Sequence, residues 1–362
     1  MKPKIHVAVL MGGPTSEHEV SLNTGTVVIN ALDRDRYEIK PVCITRDGRW
    51  LVPSGYLAAD AFPVEIPPAQ AVSGVDGCVA LECHHAPASL CQDGGAPVDV
   101  VFIAMHGPYG EDGTIQGMLD VLGLPYTGSG VLASALAMHK GLSRRLFLQA
   151  GLPLPRAREL SRRQSAEERA ALLAAALDDP GLPCVVKPAS QGSSFGIGLC
   201  FSPEELPPAV DEAFRYDDDL LIEEYIEGLE LTCPVLERPD NSTVPLPVIE
   251  IIPKRSRFFD YEAKYVAGAT EEICPARIAP DIAAEVQRLS LAAHNLLGCA
   301  GLTRADFILR DGTPYLLEIN TIPGMTQTSL APQAARAAGM GFSELLDCLI
   351  ECALRRGRRN RC

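Results

Sequence analysis

Buried strands and a helix alternate at the start of the chain, and this order constrains the fold more than any other feature of the sequence. The apolar run 4–11 (KIHVAVLM) predicts a buried strand that ends at Gly12 and Gly13. Residues 20–32 have helical spacing, and residues 39–44 predict a second strand. This order is typical of an open, mostly parallel sheet, and a further core strand is predicted at 99–104. We therefore expect an α/β fold.

Length and charge narrow the possible functions. The 362 residues predict two to three domains. Acidic residues outnumber basic ones, 46 to 32, which argues against a nucleic-acid polymer as partner. No apolar run approaches the ~20 residues of a membrane span, and the short stretch 5–11 has no signal-peptide cleavage pattern. We expect a cytoplasmic protein without a membrane partner, and we expect its twelve cysteines to be thiols.

Three other segments carry predictions of their own. Residues 131–150 predict one continuous helix, and the Arg-rich tail 355–362 is expected to fray. The segment 63–95 is rich in Pro, Gly, Cys and His and is interpreted as an insertion. Its Cys and His spacing matches no paired zinc motif, so a zinc site is disfavoured there.

A glycine-rich loop follows a strand that carries a lysine. Lys187 lies on the predicted strand 184–188, and the loop 190–198 (SQGSSFGIG) comes next. Small residues let backbone N–H groups approach a phosphate closely, and the two hydroxyls of Ser193 and Ser194 add donors. This pattern favours a nucleotide held between sheets, with a mobile surface loop as the alternative.

Polar side chains on two predicted strands of the last third indicate a metal site. Asp306 lies on one strand (RADFIL), and Glu318 and Asn320 lie two residues apart on the next (YLLEIN). Residues two apart on a strand share a face, and buried carboxylates without partners are costly. Oxygen ligands suit Mg²⁺, so we expect a metal here; a solvated sheet face is the alternative. Arg304, two residues before Asp306, could serve an anionic reacting group.

Five stretches together resemble the D-alanine–D-alanine ligases of the ATP-grasp superfamily. They are 11–21 (MGGPTSEHEVS), 106–130 (HGPYGEDGTIQGMLDVLGLPYTGSG), 187–197 (KPASQGSSFGI), 258–265 (FFDYEAKY), and RADFIL with LLEINTIPGMT within 304–326. The resemblance implies a Rossmann-like parallel-sheet domain at 1–127 and two ATP-grasp subdomains, 128–223 and 224–362, that clamp the nucleotide. It implies ATP-dependent joining of two D-alanines through a D-alanyl phosphate, with release of ADP and phosphate, for peptidoglycan precursors. A homodimer, common in that family, is the expected assembly.

The resemblance also assigns ATP and metal roles to individual residues. Lys140 and Lys187 would contact the α- and β-phosphates, Ser194 the outer phosphates and Lys264 the γ-phosphate. Glu223 and the backbone near Ile226 would hold adenine, with Glu230 on the ribose. Two Mg²⁺ (or Mn²⁺) would be bound, one by Asp306 and Glu318 and the other by Glu318 and Asn320.

Further residues would bind the two amino acids. Glu17 would take the ammonium of the first D-alanine in a network with Ser193 and Tyr265, and His106 would lie nearby. Arg304 and the Gly324 N–H would face the developing oxyanion, whereas Ser329 and the Leu330 N–H would hold the second carboxylate. The loops 190–198 and 254–275 are expected to act as lids that exclude water.

Alternatives to this function remain open on the sequence alone. Glu224 stands where many relatives have Lys, which puts that adenine contact in doubt beyond its backbone. Tyr265 and the segment 325–332 (MTQTSLAP) favour D-alanine over D-serine or D-lactate as the second substrate. Another ATP-grasp carboxylate–amine ligase is a second possibility. A non-catalytic nucleotide-binding module is disfavoured, because it should have lost one of Asp306, Glu318 and Arg304.

Overall fold

The first apolar run forms an interior strand of the N-terminal sheet in the computed structural model, which describes residues 3–53, 55–57, 78–81, 90, 97–192, 196–254 and 270–359. Strand β1 (Ile5–Gly12) pairs in parallel with β2 (Tyr37–Ile44) and β5 (Val100–Ile103), as predicted. Helix α1 (His18–Ala31) connects β1 to β2 and packs on β1, and helix α2 (Thr114–Leu122) follows β5. Two short antiparallel strands, β3 (Trp50–Pro53) and β4 (Cys78–Leu81), extend the edge. The predicted insertion thus contributes β4, and most of its other residues lie outside the described ranges.

The second sheet is antiparallel throughout. It has the order β6–β9–β7–β8, with β6 at Ala157–Ser161, β7 at Cys184–Pro188, β8 at Gly198–Cys200 and β9 at Asp219–Glu224. Helices α5 (Ala166–Asp178) and α6 (Leu206–Ala213), the latter preceded by a 3₁₀ turn at Pro203–Glu205, cover its apolar face. Ser165 begins α5 with a capping box to Glu168, which satisfies backbone donors at that helix end.

The third sheet carries the predicted metal residues. Its order is β13–β12–β10–β14–β15, and β11 pairs with β10; the strands are β10 (Leu229–Glu237), β11 (Thr243–Pro245), β12 (Ile249–Pro253), β13 (Thr270–Ile273), β14 (Leu302–Arg310) and β15 (Thr313–Asn320). Helix α7 (Pro280–Leu297) packs across one face, where Val286 and Leu289 join Phe307 and Leu316 in the core. On the opposite face, Leu236 and Leu302 pack into the core shared with the N-terminal sheet, and Asp306 and Glu318 line a cavity.

The prediction of one continuous helix at 131–150 is wrong, because the helical conformation is interrupted at His139. Helix α3 (Val131–Met138) ends there, His139 is extended (φ −90°, ψ 93°), and α4 (Lys140–Gln149) begins at the next residue. The His139 Nδ1 accepts a hydrogen bond from the Leu142 N–H at 3.2 Å and caps α4. Helical spacing continues on both sides of the break, and His is not a preferred capping residue, so the sequence gives no signal of it. The break places Lys140 at the start of α4.

The C-terminal helices pack against the N-terminal sheet. Helix α8 (Leu330–Ala337) is followed by α9 (Phe342–Arg359), whose buried Leu345 lies in one core with Val7 and Val100. The prediction that the C-terminal tail frays is wrong for residues 355–359, because they continue α9. Arg355 and Arg356 pair with Glu237 at 2.9 and 2.6 Å, and these ion pairs stabilise the last turns. The division of the chain into an N-terminal domain and two ATP-grasp subdomains, with boundaries at 127/128 and 223/224, stays a proposal.

Candidate active site

Four polar side chains share one face of the strand pair β14 and β15, as the alternation of the sequence predicts. Asp306 lies opposite Glu318, and Arg304 lies opposite Asn320. The register shifts directly after Asp306, so a β-bulge follows the polar positions and separates them from the apolar pairs beyond. Side chains of this group line two adjoining cavities, and Glu318 lines both of them.

Each acid of this group has a cationic or hydroxyl partner. Arg304 binds Asp306 with both ends of its guanidinium, at 2.9 and 2.8 Å, and the Thr232 hydroxyl donates to the same carboxylate at 2.6 Å. Lys140 Nζ lies 3.2 Å from a carboxylate oxygen of Glu318 and donates to the Gln191 carbonyl at 2.7 Å. Two cations thus compensate the charges of the two carboxylates, which offsets the free-energy cost of burying them.

A smaller cavity of about 180 Å³ lies between the second and third sheets. Predicted ATP residues line it: Lys140, Lys187, Glu223, Ile226 and Glu230. The apolar side chains of Val185, Leu199, Ile251 and Ile308 also line it, together with Asp306 and Glu318. A cavity with apolar walls and a few charged side chains suits a nucleotide base and its phosphates.

The lysine at the polar side of this cavity forms a buried ion pair. Lys187 Nζ lies 2.6 Å from Glu223 Oε2, and Arg144 reaches the other carboxylate oxygen at 3.7 Å. Only 9% of the Lys187 side chain and 7% of the Glu223 side chain are exposed. Each charge therefore offsets the free-energy cost of burying the other. Arg144 is a partner that the sequence did not reveal.

Glu224, the residue that departs from the family pattern, lines the smaller cavity, and two arginines bind its carboxylate. It pairs with Arg156 and with Arg310, each at 3.0 Å. Partial burial opposes ionisation of this carboxyl, but the hydrogen bonds from Arg310 and Arg156 lower its pKa below the ordinary value. Its side chain therefore connects β9 to Arg156, just before β6, and to Arg310 at the end of β14.

A larger cavity of about 810 Å³ adjoins the first and shares Lys140, Gln191, Gly192 and Glu318 with it. It brings together the remaining described residues that were predicted to bind amino acids: Glu17, His106, Arg304, Gly324, Ser329 and Leu330. These residues come from the N-terminal sheet, from β14, and from the loop and helix that follow β15. The two cavities meet at Lys140 and Glu318, so a ligand in one would touch a ligand in the other.

Glu17 and a glycine turn form one wall of the larger cavity. Glu17 precedes α1 and is 5% exposed. Gly107 has a φ of +69°, and a Cβ at that position would lie 2.2 Å from Glu17 Oε2. Only glycine satisfies both the backbone conformation and this close approach.

The other wall contains the start of helix α8. Ser329 precedes its first residue, Leu330, and the Ser329 hydroxyl accepts a hydrogen bond from the Thr326 N–H at 3.1 Å. Free N–H groups at a helix start favour an anionic ligand such as a carboxylate. The predicted site for the second carboxylate thus lies at a helix N-terminus within the cavity.

Glu111 lines the same cavity, and the sequence analysis did not single it out. Burial, and secondarily the charge of Glu17, raise the pKa of its carboxyl to about 8. The only sequence signal was its place within the HGPYGEDG segment, where it is one of two adjacent acids. Four predicted site residues, Ser193, Ser194, Lys264 and Tyr265, lie outside the described residues.

Comparison with known proteins decides the family. The family model described as the N-terminus of D-ala D-ala ligase matches residues 6–129, and the model of its C-terminus matches residues 146–351. The chain belongs to the D-alanine–D-alanine ligase family. It is 41% identical over 367 residues to D-alanine–D-alanine ligase A of Mesorhizobium japonicum, covering 99% of each chain.

Solved structures of this ligase family confirm the predicted ATP-grasp fold. A D-alanine–D-alanine ligase from Bacillus anthracis complexed with ATP matches with a TM-score of 0.73 and 31% identity, over 98% of this chain and 99% of that one. The VanG D-Ala:D-Ser ligase from Enterococcus faecalis matches with a TM-score of 0.81 and 30% identity, over 97% and 100%. Across the described part of the chain, no helix is long and apolar enough to cross a membrane.

Proposed function

We propose that this member of the ligase family joins two D-alanines to D-alanyl-D-alanine with ATP, through a D-alanyl phosphate. The observation that carries the proposal is the shared face of Asp306, Glu318 and Asn320, which lies where the two cavities meet. A nucleotide in the smaller cavity would present its terminal phosphate to a carboxylate in the larger one. A carboxylate is a poor acyl donor until its oxygen is phosphorylated, so contact between the two sites is what the reaction needs.

The smaller cavity is proposed to hold ATP. Its apolar walls would enclose adenine near Glu223 and Ile226, with Glu230 at the ribose, as the family resemblance implies. Lys140 and Lys187 would contact the α- and β-phosphates, and Ser194 and Lys264 the outer ones. Phosphoryl transfer depends on positioning and charge neutralisation, which lysines supply at close range.

The polar strand face is proposed to bind two Mg²⁺ (or Mn²⁺). Asp306 and Glu318 lie opposite each other and Asn320 shares their face, so three oxygen-bearing side chains of the kind that a hard cation prefers lie side by side. Lys140 and Arg304 form ion pairs with Glu318 and Asp306, which supports the proposal that both carboxylates are ionised and able to bind a cation. When bound, the cations would neutralise the phosphate oxygens that face these strands.

Glu17 is proposed to bind the ammonium group of the first D-alanine, with Ser193, Tyr265 and His106 around it. The carboxylate oxygen of this D-alanine attacks the γ-phosphorus of ATP, the bond to the bridging oxygen breaks, and ADP leaves. The amine of the second D-alanine then attacks the acyl carbon, loses a proton, and inorganic phosphate leaves. The tetrahedral intermediate carries an oxyanion, which Arg304 and the Gly324 N–H are proposed to stabilise, since both residues line the larger cavity.

The second D-alanine is proposed to place its carboxylate at Ser329 and the Leu330 N–H. A D-serine acceptor is a second candidate, because the D-Ala:D-Ser ligase matches this chain with a TM-score of 0.81. D-lactate is disfavoured, because Tyr265 stands in the segment YEAKY. The homodimer that the family resemblance implies and the cytoplasmic location expected from the sequence remain proposals.

An acceptor panel tests the proposed function. Purified protein with ATP and Mg²⁺ is given D-alanine alone, or D-alanine with an excess of D-serine or D-lactate, and both ADP and the products are quantified. We expect ADP release that depends on D-alanine and yields D-alanyl-D-alanine as the main product. A mixed product with D-serine as the preferred acceptor would assign the second candidate function. Absence of D-alanine-stimulated ADP release would reject the ligase proposal.

A further inference from the structure

Glu111 connects two distant parts of the larger cavity. Its Oε2 accepts a hydrogen bond from the Gly107 N–H at 2.7 Å, within its own turn. Its Oε1 accepts a second one from the Ile322 N–H at 3.3 Å, across 211 residues of chain. One carboxyl group therefore ties the turn after β5 to the loop after β15.

His106 binds the backbone of the same loop residue, Ile322, through the carbonyl group of that residue. The His106 Nδ1 lies 3.2 Å from the Ile322 carbonyl oxygen, and its Nε2 lies 2.9 Å from the Thr24 hydroxyl. Because a carbonyl only accepts, Nδ1 carries the hydrogen and Nε2 accepts from Thr24. Burial lowers the pKa of His106, which keeps the ring neutral and preserves this arrangement. The turn 106–111 thus binds both the N–H and the C=O of Ile322.

The two residues that Glu111 connects, Gly107 and Ile322, lie beside different parts of the proposed active site. Gly107 lies against the carboxylate of Glu17, where the first ammonium group is proposed to bind. Ile322 lies two residues after Asn320 and two before Gly324, and Asn320 Oδ1 also accepts from the Ile322 N–H at 3.2 Å. A shift of Ile322 would therefore move a metal ligand and an oxyanion donor relative to the first amino acid.

We propose that Glu111 is a positioning residue of the ligation reaction, which fixes the loop 320–324 relative to the Glu17 site by bridging the Gly107 and Ile322 N–H groups. This inference rests on the proposed function. A displacement of about 1 Å in the reacting groups costs on the order of 100-fold in rate. Misalignment after the acyl phosphate forms would also let water compete with the second amine, so phosphate would be released without dipeptide.

Substitution of Glu111, with its neighbour as control, tests this role. Glu111→Gln keeps the shape but leaves one acceptor oxygen for two N–H donors, and Glu111→Ala removes both acceptors. Asp112 is a matched control, because its carboxylate also accepts two backbone hydrogen bonds, from Tyr109 at 2.8 Å and Thr114 at 2.9 Å. Both bonds of Asp112 stay within the turn, so Asp112→Asn removes a comparable local contact without touching the loop 320–324.

We measure kcat, the Kd for ATP, the thermal unfolding midpoint and the ratio of phosphate to dipeptide. For Glu111→Gln we expect a fall in kcat of about 10- to 100-fold. We also expect an unchanged Kd for ATP and a phosphate-to-dipeptide ratio above that of the wild type. Asp112→Asn should stay within about twofold of wild-type kcat.

Two results would overturn the positioning role of Glu111. The first is a Glu111→Gln kcat within twofold of the wild type, and the second is an equal loss in Asp112→Asn, which would show a merely structural turn. If Glu111→Ala fails to fold, the isosteric Glu111→Gln decides. Failure of the proposed function is distinct, because the wild-type protein itself would then show no D-alanine-dependent turnover.

Discussion

Removal of the lysine from the buried Lys187–Glu223 pair should affect stability and ATP binding separately. The substitution Lys187→Met leaves the Glu223 carboxylate buried with Arg144 as its remaining partner, 3.7 Å away. Loss of one partner of a buried ion pair costs about 3–5 kcal/mol. Because Arg144 keeps part of the compensation, we expect the lower end, about 3 kcal/mol of the free energy of unfolding.

A double-mutant cycle with Glu223→Gln separates the two roles. Glutamine removes the uncompensated charge, so the double variant should be more stable than the sum of the single effects predicts, by about 1 kcal/mol or more. ATP binding should not recover, because the charge that is proposed to meet the phosphates is still missing. A charged hydrogen bond contributes about 1.5–3 kcal/mol, which corresponds to roughly a 10- to 100-fold weaker Kd.

Urea unfolding measures the first effect, and titration with ATP measures the second. The reasoning about burial is refuted if Lys187→Met unfolds at the wild-type urea concentration. The reasoning about ATP is refuted if the double variant binds ATP as tightly as the wild type. The matched control is Arg145→Met, which removes an exposed ion pair to Glu159 and should change both quantities little.

Further predictions concern the metal face and acid stability. Glu318→Gln should lower turnover by at least about 100-fold while the unfolding midpoint stays close to wild type, since Lys140 keeps its bond to Gln191; near-normal turnover would contradict the metal assignment. Chelation with EDTA should abolish turnover, and added Mg²⁺ or Mn²⁺ should restore it; unaffected turnover would argue against a metal requirement. Burial lowers the pKa of His294 to about 4, from about 6.5 when unfolded. The stability that the neutral, buried His294 contributes is complete above about pH 6.5 and is lost as the pH falls toward 4. The free energy of unfolding measured in urea should therefore fall by about 2 kcal/mol between pH 7 and pH 5. His294→Gln should reduce that loss, and an unchanged pH dependence would contradict the assignment.

Local patterns predicted most of the strands and the chemistry of the third sheet. The alternation in RADFIL and YLLEIN placed Arg304, Asp306, Glu318 and Asn320 on one face, and the register confirms it. These predictions succeed because the side-chain period of a strand is fixed by local geometry. The partners of the same residues were not predicted, since Thr232 reaches Asp306 only through the pairing of β10 with β14.

Long-range pairing explains what the sequence did not reveal. Strand β10 is central in its sheet, but Glu230 and Pro234 interrupt its apolar pattern, so the sequence analysis predicts no strand there. The break at His139 depends on a single extended residue within continuous helical spacing. Glu111 acquires its role from a residue 211 positions away, which no local pattern encodes.

Transfer of oxygen-18 from D-alanine to phosphate tests the central claim most directly. The protein is given ATP, Mg²⁺ and D-alanine labelled with oxygen-18 in the carboxylate, and the released phosphate is analysed by mass. If the carboxylate oxygen attacks the γ-phosphorus at the junction of the two cavities, each dipeptide formed releases phosphate with one labelled oxygen. Dipeptide formed together with unlabelled phosphate would contradict the account.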